Sequence, residues 1–545
     1  MSNNPNIIYG GDFEETLDYP TVGALLYDNF KDGGDKVALI DGIKEQQWTY
    51  NNILEQSVKV AKALYGAGIR QNDVITVLSE NRLEYAAIAY GTLFLNAICA
   101  PANYGYTERE LEHTLNITKP KFVFISSSAK EIAPKLKQFN YVKRVILLDD
   151  DNVDTENFIS YKTFINKFGS NNFDVERFVR QPVKLFEQVA AIFMSSGTTG
   201  LPKGVELTHG NLIACIASNL ERVPLGKALF GDVTALFITP WFHVMGFMGK
   251  LLFTTSREFT QVFLSKFIPT LYLKSIEKYK VLTISVPPPV VLFLAKTPLL
   301  SNYDLTSLKI VFSGAAPLTK ELEEEVKKRF NDDIIVLQAY GQTEATLGVL
   351  YSDAATAKPG SVGQLIKGTY GKVIDLNGNI LGPHQVGELC FKGPFIMKGY
   401  IDNIEATSST IDKDGWLHTG DLGYYDEDFQ FFIVDRLKEL IKYKGYQVPP
   451  AELEGLLMSH PKVRDAGVIG IPDEIAGELP MAFVVKEEGS DITEQEVKDY
   501  VAKNASNPKW LRGGVKFIDA IPKNITGKIL RREMKELYKS LKSKL

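Results

Sequence analysis

Residues 195–204 read Ser195-Ser196-Gly197-Thr198-Thr199-Gly200-Leu201-Pro202-Lys203-Gly204, and they follow the apolar stretch Val189-Ala190-Ala191-Ile192-Phe193-Met194. A buried strand that ends in hydroxyls, glycines and one lysine can turn its backbone N–H groups toward an anion. The glycines allow close approach of the backbone, the hydroxyls donate to phosphate oxygens, and Lys203 adds a positive charge. The run is not a Walker loop, because Gly204 rather than Ser or Thr follows the lysine. It predicts a buried strand that opens into a phosphate-binding loop.

The length and composition are those of a soluble enzyme with more than one domain. A chain of 545 residues is too long for a single hydrophobic core. Hydrophobic residues make up 45% of the chain and charged residues 23%, which is ordinary for a globular enzyme. The formal net charge of -5 gives no reason to expect nucleic acid as a partner. Cys99, Cys215 and Cys390 lie far apart in apolar contexts, which favours free buried thiols and a reducing compartment.

The two ends of the sequence bear on localisation. The first residues lack the apolar core of a signal peptide, and no apolar run reaches about 18 residues, so no transmembrane segment is expected. The chain ends in Ser543-Lys544-Leu545, the tripeptide that the peroxisomal import receptor reads. We therefore expect a peroxisomal protein with that receptor as a partner. The basic stretch 531–541 has the apolar stripe of a packing helix rather than of a membrane anchor.

Apolar runs and amphipathic stretches alternate along most of the chain, up to about residue 430. Examples are Val74–Leu78, Tyr85–Leu95 and Lys121–Ile125. Strands interleaved with helices predict parallel α/β sheets. Between Val362 and Leu389 the pattern changes to short strands separated by Gly and Asn turns, which indicates a small β-rich subdomain.

A charged segment, 435–439, separates this region from a compact α+β pattern at the C-terminal end. Helices are expected there at 451–458, 493–505 and 531–541, and strands at 466–471 and 481–485. The predicted fold class is therefore α/β, with a large N-terminal domain of α/β subdomains plus a small β-rich subdomain, and a small mobile α+β C-terminal domain. The predicted bounds are 1–434 for the N-terminal domain, 435–439 for a hinge and 440–545 for the C-terminal mobile domain.

Three further segments carry groups suited to a nucleotide. Gln338-Ala339-Tyr340-Gly341-Gln342-Thr343-Glu344 offers an aromatic ring for a base, a hydroxyl for a phosphate and a carboxylate for magnesium. The small residues of Ser313-Gly314-Ala315-Ala316-Pro317-Leu318 let a flat ring lie against the backbone. In Gly415-Trp416-Leu417-His418-Thr419-Gly420-Asp421, the Asp421 carboxylate can accept both ribose hydroxyls, and Arg436 adds donors.

These segments, together with Lys438–Gln447 and Pro522–Lys528, resemble the signature motifs of the adenylate-forming superfamily. That superfamily includes acyl-CoA synthetases, 4-coumarate:CoA ligases, beetle luciferases and peptide-synthetase adenylation domains. The six segments occur in the family's order and spacing and span nearly the whole chain. Within this superfamily the chain resembles insect luciferase-like fatty acyl-CoA synthetases. The resemblance implies an enzyme that uses ATP, Mg²⁺ and coenzyme A to activate a small-molecule carboxylic acid.

The resemblance also implies roles for individual residues of the nucleotide site. Tyr340 would stack on adenine, Thr343 would contact the α-phosphate, and Glu344 with Thr198 would ligate magnesium. Asp421 would bind the ribose hydroxyls, assisted by Arg436. The other residues implied to bind the cofactors are Ser195, Ser196, Gly197, Thr199, Gly200, Lys203, Gly314, Ala315, Ala316, Gln338, Ala339 and Gly341. Ala339 and Gln342 stand where the family commonly has Gly and Leu.

Two lysines of the C-terminal domain receive different roles by the same resemblance. In the family, the segment just past the hinge swings into the site for the second half-reaction, so Gly445 would line the pantetheine tunnel with Lys442 nearby. Lys528 matches the family's mobile lysine, which reaches the acyl carboxylate and the α-phosphate as pyrophosphate leaves. Negative charge develops there between two anionic reactants, and an ammonium group would stabilise it.

The acyl substrate is predicted from the segment Pro240-Trp241-Phe242-His243-Val244-Met245-Gly246, which resembles the family's gate over the acyl channel and gives His243 a catalytic role. Beetle luciferases have His-Gly-Phe or His-Ala-Phe here, an arginine near Ala217-Ser218 and a small polar residue at the position of Leu347. All three departures replace polar or flat groups with apolar or small ones, which suits an alkyl chain. We therefore expect a medium- or long-chain fatty acid as the substrate.

Three alternatives stay open at this point. A luciferase would oxidise an adenylated luciferin, and a 4-coumarate-like ligase would take an aromatic acid. A catalytically silent nucleotide-binding protein would not need Lys203, Glu344 and Lys528, whose charges serve catalysis. Release of pyrophosphate separates the silent protein from the enzymes.

Overall fold

The computed structural model describes residues 4–13, 18–150, 153–155, 157–195, 202–220, 233–253, 259–314, 318–444, 446–524 and 527–542. Within them the chain forms a large mixed α/β N-terminal domain and a small C-terminal domain, so the predicted fold class is confirmed. None of the described helices combines the length and the apolar character that crossing a bilayer requires. The tripeptide 543–545 lies outside the described residues, and peroxisomal import stays a prediction.

One large sheet carries the strand that leads to the predicted phosphate loop. That strand, Val189–Ser195, is buried along most of its length, as expected for a strand covered on both faces. The next strand, Lys203–Thr208, returns antiparallel beside it and places Lys203 opposite Ser195. In spatial order the eight described strands are Gly399–Tyr400, Lys203–Thr208, Val189–Ser195, Ile98–Cys99, Val74–Leu78, Phe122–Ile125, Arg144–Leu147 and Phe158–Ser160.

A second large sheet has nine described strands, and its central ones are parallel. The carboxyl ends of Thr283–Val286, Ile310–Ser313 and Ile335–Gly341 therefore meet at one edge. In spatial order the strands are Gln364–Leu365, Gly348–Tyr351, Ile335–Gly341, Ile310–Ser313, Thr283–Val286, Thr234–Phe237, Thr260–Phe263, Val37–Asp41 and Gln47–Thr49.

Helices pack against both large sheets through their apolar stripes. One core joins the first three helices to strands of both sheets, and a second core lies between the nine-stranded sheet and the helices between residues 269 and 329. The α-helices of the N-terminal domain are Val22–Gly33, Tyr50–Gly66, Leu83–Phe94, Glu108–Thr118, Tyr161–Gly169, Val175–Val179, His209–Leu220, Val244–Gly246, Pro269–Lys278, Pro288–Lys296, Lys320–Arg329 and Ile404–Thr410. A π-helix spans Phe247–Leu252, and 3-10 helices span Ser127–Gln138, Pro298–Asn302 and Thr343–Ala345.

The predicted β-rich subdomain is an antiparallel sheet. Its strands are Ile8–Tyr9, Tyr370–Ile374, Gly387–Lys392, Leu417–Tyr425 and Phe431–Arg436. The last two strands pair so that Asp421 lies opposite Arg436. Two residues predicted to act together on the ribose are thus neighbours across one ladder.

The predicted hinge begins inside this sheet. Asp435 and Arg436 end the strand Phe431–Arg436, where Asp435 pairs with Leu422. The Leu437 N–H also donates to the Gly420 carbonyl at 2.9 Å. The first two residues of 435–439 thus belong to the ladder, and the hinge at 435–439 stays a prediction.

The C-terminal domain is a five-stranded sheet with helices on both faces. Its strands are Ile441–Tyr443, Tyr446–Val448, Val463–Asp473, Gly477–Lys486 and Gly514–Phe517, and its helices are Pro450–Met458, Glu494–Asn504, Arg531–Lys542 and the 3-10 helix Asn507–Lys509. The first two helices pack on one face of the sheet. The basic helix Arg531–Lys542 buries Met534 against the other face, so the prediction of a packing helix is confirmed.

Candidate active site

A cavity of about 950 Å³ opens at the carboxyl ends of the strands that the sequence predicted to carry the site. Its lining includes Ser195 at the end of one strand of the eight-stranded sheet. It also includes Gly314 and Tyr340, which lie at strand ends of the nine-stranded sheet. The C-terminal domain adds Asn524 and Lys528 to the described lining. The two domains therefore share the cavity, at the edge where open α/β sheets bind ligands.

Most of the predicted site residues that the structure describes lie in this lining. They are Ser195, Lys203, His243, Gly314, Ala339, Tyr340, Gly341, Thr343, Glu344, Asp421, Arg436 and Lys528. Other predicted residues lie outside the described part of the chain, namely Ser196, Gly197, Thr198, Thr199, Gly200, Ala315, Ala316 and Gly445.

Asp421 is held in the cavity wall by two partners. The Tyr340 hydroxyl donates to its Oδ2 at 2.6 Å, and the Arg436 Nε lies 3.2 Å from its Oδ1. Burial raises the pKa of Asp421, while the Arg436 guanidinium and the Tyr340 hydroxyl act in the opposite direction. A carboxylate fixed in this way can accept hydrogen bonds from sugar hydroxyls. Asp421 thus contacts both of the other residues predicted for the adenosine end.

Glu388 and His418 hold the backbone that precedes Asp421. The Glu388 Oε1 accepts a hydrogen bond from the Gly420 N–H at 2.9 Å, and its Oε2 lies 3.1 Å from the His418 Nδ1. The His418 Nε2 faces the Asp412 Oδ2 at 3.4 Å. Gly420 has a φ of 70°, a conformation that glycine adopts without strain. These contacts fix the turn that orients Asp421.

Cys390 brings a sulfur atom to the same group. Its Sγ lies 3.6 Å from the His418 Nδ1, and the candidate ligand atoms of Glu388, Cys390 and His418 lie within 4.8 Å of one another. Burial raises the pKa of the Cys390 thiol, which disfavours the thiolate that metal coordination requires. Because Glu388 and His418 are already engaged with the backbone and with Asp412, we assign this group a positioning role.

Glu344 is a buried carboxylate, 7% exposed, that receives two hydroxyl donors. The Ser195 Oγ and the Tyr400 hydroxyl donate to its Oε1 at 2.6 and 2.8 Å. The Lys203 Nζ lies 4.7 Å from the centroid of the Tyr400 ring, which places a positive charge close by. Thr343 is buried in the same 3-10 turn as Glu344. Carboxylate and hydroxyl oxygens are the ligands that suit Mg²⁺, so these residues fit the predicted magnesium site.

Gln338 was predicted to bind the cofactor, but the structure does not place its side chain in the cavity lining. Leu337 and Ala339 line the cavity, whereas the Gln338 side chain donates to the Glu323 Oε2 at 3.5 Å. Successive side chains of a strand point to opposite faces, so Gln338 faces away from the cavity that its neighbours line. Tyr340 reaches the cavity at the strand end, where the ladder register shifts.

Lys528 and His243 face the same part of the cavity. The backbone N–H of Lys528 donates to the Asn524 Oδ1 at 2.9 Å, so a tight turn holds the lysine. Burial, with a further contribution from the Arg436 guanidinium, lowers the pKa of Lys528 to about 8. Burial and then the charge of Lys528 lower the pKa of His243 to about 4, so the imidazole is neutral. Its Nδ1 accepts a hydrogen bond from the Met245 N–H at 3.2 Å.

Lys442 lies away from the described lining of the cavity. It is exposed on the strand Ile441–Tyr443, and its backbone N–H donates to the Glu478 Oε2 at 2.9 Å. The structure therefore brings only one of the two predicted lysines to the site. Since both lysines belong to the same small domain, bringing Lys442 to the cavity would require that domain to turn.

One face of the nine-stranded sheet lines the other part of the cavity. Alternate residues of four neighbouring strands form two rows there, in an arrangement that the strand register fixes. The rows are Ala235, Thr283, Ile310 and Ile335, and Phe237, Ser285, Phe312 and Leu337. Most of these side chains are apolar, so this part of the cavity suits a hydrocarbon group.

A second apolar wall comes from Val244, Met245, Gly249 and Leu347. A Cβ on Gly249 would lie 3.5 Å from the Leu347 side chain, so the π-helix Phe247–Leu252 packs close to Leu347. Such π-helical turns are rare and occur frequently at functional sites. Ala217 and Ser218 are buried outside the described lining, so that departure from the luciferases does not reach the described cavity.

Glu388, Tyr400 and Lys250 are among the lining residues that have no role in the sequence-based prediction. Glu388 and Tyr400 act through hydrogen bonds to residues far away in the sequence, which no local pattern reveals. Lys250 does have a sequence signal, because it interrupts the apolar run Phe247–Phe253.

The chain matches two families along its length. Residues 26–401 match the AMP-binding enzyme family, and residues 452–528 match the AMP-binding enzyme C-terminal domain. The luciferin 4-monooxygenase of Photuris pensylvanica is 42% identical over 99% of this chain and 99% of its own length. The probable 4-coumarate–CoA ligase 1 of Dictyostelium discoideum is 38% identical over 98% of this chain and 97% of its own.

Two solved structures resemble this chain over nearly its whole length. ATP-bound MatB from Rhodopseudomonas palustris superposes with a TM-score of 0.84 at 26% identity, covering 96% of this chain and 99% of that one. The Mycobacterium tuberculosis fatty acyl CoA synthetase superposes with a TM-score of 0.71 at 25% identity, also covering 96% and 99%. The similarity therefore spans both domains of the chain.

Proposed function

Since this chain belongs to the adenylate-forming superfamily of AMP-binding acid–CoA ligases, which use ATP and CoA, we propose that the acid it activates is a medium- or long-chain fatty acid. The observation that carries the proposal is the apolar sheet face beside Lys528 and His243. An acid whose carboxylate lies between these two residues would extend its chain over the two rows, one of which contains Phe237 and Phe312. Each methylene buried there would contribute roughly 0.8 kcal/mol.

The proposed reaction has two half-reactions. In the first, a carboxylate oxygen of the fatty acid attacks the α-phosphorus of ATP, the bond to the bridging oxygen breaks, and pyrophosphate leaves. In the second, the thiolate of CoA attacks the carbonyl carbon of the acyl-adenylate and AMP leaves. No side chain of the enzyme forms a covalent intermediate in this sequence.

We assign the residues of the cavity different roles in the first half-reaction. Tyr340 would stack on the adenine, and Asp421 with Arg436 would bind the ribose. Glu344, with Thr198, would hold the Mg²⁺ that neutralises phosphate charge in this chemistry. Lys203 would contact the phosphates together with the loop 196–200. Lys528 would stabilise the negative charge that builds up between the carboxylate and the α-phosphate.

The chain-length dependence of activity tests the fatty acid. With purified enzyme, ATP and CoA, we expect KM for saturated acids to fall with length, by roughly fourfold per methylene at about 0.8 kcal/mol each, until the cavity is full. Leu347→Ser removes part of the apolar wall and should raise KM for the longer acids by about fivefold, for a loss of about 1 kcal/mol. Leu347→Met keeps the volume and serves as the control. AMP and acyl-CoA formation are measured; an enzyme that activates aromatic acids and no saturated acid would refute the proposal.

A second candidate is the oxidation of an adenylated luciferin, which the luciferin 4-monooxygenase at 42% identity favours. Val244, Met245 and Leu347 line the cavity where the beetle luciferases have smaller, flat or polar groups. These differences favour a substrate with an alkyl chain over beetle luciferin. Light emission with beetle luciferin, ATP and oxygen would support this candidate. Loss of that light on adding a fatty acid would instead show that the fatty acid occupies the same site.

Lys442→Ala should separate the two half-reactions. Because Lys442 lies outside the described lining while Lys528 is in it, the present arrangement serves adenylation. We expect acyl-CoA formation to slow by roughly 10-fold or more, the scale of losing one charged hydrogen bond. ATP–pyrophosphate exchange should persist and acyl-adenylate should accumulate. Lys444→Ala, on the same surface turn, is the control, and an equal loss of both half-reactions in Lys442→Ala would contradict this role.

A further inference from the structure

Arg531 lies three residues after Lys528, at the start of the helix Arg531–Lys542. Between the two, the Leu530 N–H donates to the Pro522 carbonyl at 2.8 Å, so the backbone that joins them is tied back to the start of its own segment. A contact that fixes Arg531 therefore also restricts where the Lys528 side chain can reach. Small displacements of a catalytic group can cost much of its effect, so what holds Arg531 matters for the role proposed for Lys528.

The Arg531 guanidinium binds two carboxylates that occupy different places in the fold. Its Nη2 donates to both carboxylate oxygens of Glu454 at 2.8 Å. Its Nη1 lies 2.8 Å from the Oε2 of Glu439. Glu454 belongs to the helix Pro450–Met458, so the first contact stays within the C-terminal domain. Glu439 belongs to the segment predicted as a hinge, so the second contact reaches toward the N-terminal domain.

Glu439 connects this guanidinium to the wall of the cavity. Its N–H donates to the Arg436 carbonyl at 2.9 Å, and its Oε1 lies 3.7 Å from the Arg436 Nη1. Arg436 in turn contacts Asp421, and both line the cavity. The side chains of Glu439 and Arg531 are 16% and 14% exposed, so little water screens the attraction between them. A continuous row of charged contacts thus runs from the cavity wall to the segment that carries Lys528.

The Glu439 charge also acts on Lys528 itself. Burial lowers the pKa of Lys528, and the Arg436 and Arg531 guanidiniums lower it further. The carboxylates of Glu439 and Asp421 raise it, and the contribution of Glu439 is the larger of the two. Glu439 therefore offsets part of the cost of keeping an ammonium group close to two guanidiniums.

We propose that Glu439 is a positioning residue for adenylation, which holds the Lys528 segment at the cavity through its ion pair with Arg531. The inference rests on the role of Lys528 in the proposed function, but not on the identity of the acid. Glu439 is not part of the described cavity lining, so its effect on the reaction passes through other residues. Without Glu439, the pair of Arg531 with Glu454 would still hold the C-terminal domain together, while the Lys528 segment would lose its tie to the hinge side.

The test replaces Glu439 with glutamine, which keeps the size of the side chain and removes its charge. In the full-length enzyme we expect kcat for ATP–pyrophosphate exchange to fall by about tenfold, the scale of one hydrogen bond to a charged group. KM for ATP should change less, because Asp421 still holds Arg436. Thioester formation from preformed acyl-adenylate and CoA should also change less, because the domain turn proposed for that step brings Lys442 to the cavity. Activity in that step also shows that Glu439→Gln is folded.

Two further variants separate the ion pair from a general loss of charge. Glu439→Asp keeps the carboxylate on a shorter side chain and should recover part of the exchange. Glu452→Gln is the matched control, because Glu452 forms an ion pair with Lys509 at 2.5 Å in the same domain but lies outside the described lining. Its exchange should equal that of the unmodified enzyme.

The pH dependence of adenylation is a measurement that a purely structural role of Glu439 would not change. The charged and titratable groups that act on or face Lys528 are Arg436, Glu439, Asp421, Arg531 and the neutral imidazole of His243. Removing the Glu439 carboxylate takes away a charge that raises the pKa of Lys528, so this pKa should fall further below its value of about 8. The alkaline fall in kcat/KM should therefore move to lower pH in Glu439→Gln and stay in place in Glu452→Gln.

Three results would overturn the inference. The first is unchanged pyrophosphate exchange in Glu439→Gln. The second is an equal loss of both half-reactions with the alkaline fall unmoved, because Glu439 would then only support the fold. The third is full exchange in Lys528→Ala, which would remove the role that Glu439 is proposed to serve. Exchange is measured with whichever acid the unmodified enzyme activates best, so a failure of the fatty-acid proposal is distinguished from a failure of this inference.

Discussion

Replacing Lys528 with alanine should slow acyl-adenylate formation by roughly 100-fold or more, the scale of losing a preorganised group that stabilises charge in a transition state. Lys528 is the charged residue that the C-terminal domain contributes to the described lining, and it faces His243. In the proposed function, the attack of a carboxylate on the α-phosphate brings two anions together, and the Lys528 ammonium offsets their repulsion. Binding of ATP alone should change much less, because in the proposed function Asp421, Arg436 and Tyr340 would hold the nucleoside.

ATP–pyrophosphate exchange in the presence of a fatty acid measures this step directly. Lys523→Ala is the matched control, since Lys523 lies on the same segment but pairs with Asp465 at 2.6 Å, outside the described lining. Lys528→Arg keeps the charge and should recover part of the exchange. Exchange in Lys528→Ala within a few-fold of the unmodified enzyme would show that another group supplies the charge.

The pH dependence of adenylation tests the role of the Lys528 charge independently. Burial lowers the pKa of Lys528 to about 8, so the ammonium form is complete well below pH 8 and is lost as the pH rises through that value. The kcat/KM for adenylation, which reports the free enzyme, should therefore fall on the alkaline side near pH 8. In Lys528→Arg this fall should disappear, because a guanidinium stays protonated throughout the range.

Much of the site could be predicted because its functional residues lie in short segments directly after strands. The end of a parallel strand is a fixed place in an α/β sheet, so Gly314 and Tyr340 were bound to lie at one edge once their strands were identified. Ser195 ends a strand of the other large sheet, and the packing of the two sheets brings it to the same cavity. The charge of Lys528 and the carboxylate of Glu344 likewise stand in recognisable local contexts. The bounds of the C-terminal helices were also close, since their apolar stripes repeat with helical spacing.

The rest depends on pairings between distant parts of the chain. Gln338 belongs to a motif that faces the cavity. Because successive side chains of a strand point to opposite faces, its side chain instead points to Glu323. Glu388 supports Asp421 by accepting a hydrogen bond from the Gly420 N–H across the antiparallel sheet. No local sequence pattern around either residue predicts this contact. Lys250 could be noticed as a break in an apolar run, but only the packing of its helix shows that it lines a cavity.

The position of Asp435 links the two domains in a way that the sequence did not reveal. Its backbone belongs to the sheet of the N-terminal domain, at the end of Phe431–Arg436. Its Oδ2 accepts a hydrogen bond at 2.9 Å from the Ala451 N–H, in the first turn of the helix Pro450–Met458. The carboxylate thus caps a helix of the C-terminal domain. A rotation that brings Lys442 to the cavity would have to break this contact and change the backbone angles just beyond the strand.

Asp435→Pro should therefore uncouple the two half-reactions. Proline fixes φ near roughly −65° and removes the N–H. Asp435 lies next to the end of the edge strand Phe431–Arg436, where the loss of one N–H disturbs the sheet least. We expect ATP–pyrophosphate exchange to persist, because Lys528 is already in the cavity. Acyl-CoA formation should fall by about tenfold or more, because the domain rotation that it needs depends on changes of φ and ψ at a few hinge residues. Asp435→Ala removes the contact with Ala451 but leaves φ free, so both half-reactions should survive in it. Normal acyl-CoA synthesis by Asp435→Pro would mean that the domain turns about residues beyond Arg436 alone, or that Lys442 acts without any such turn.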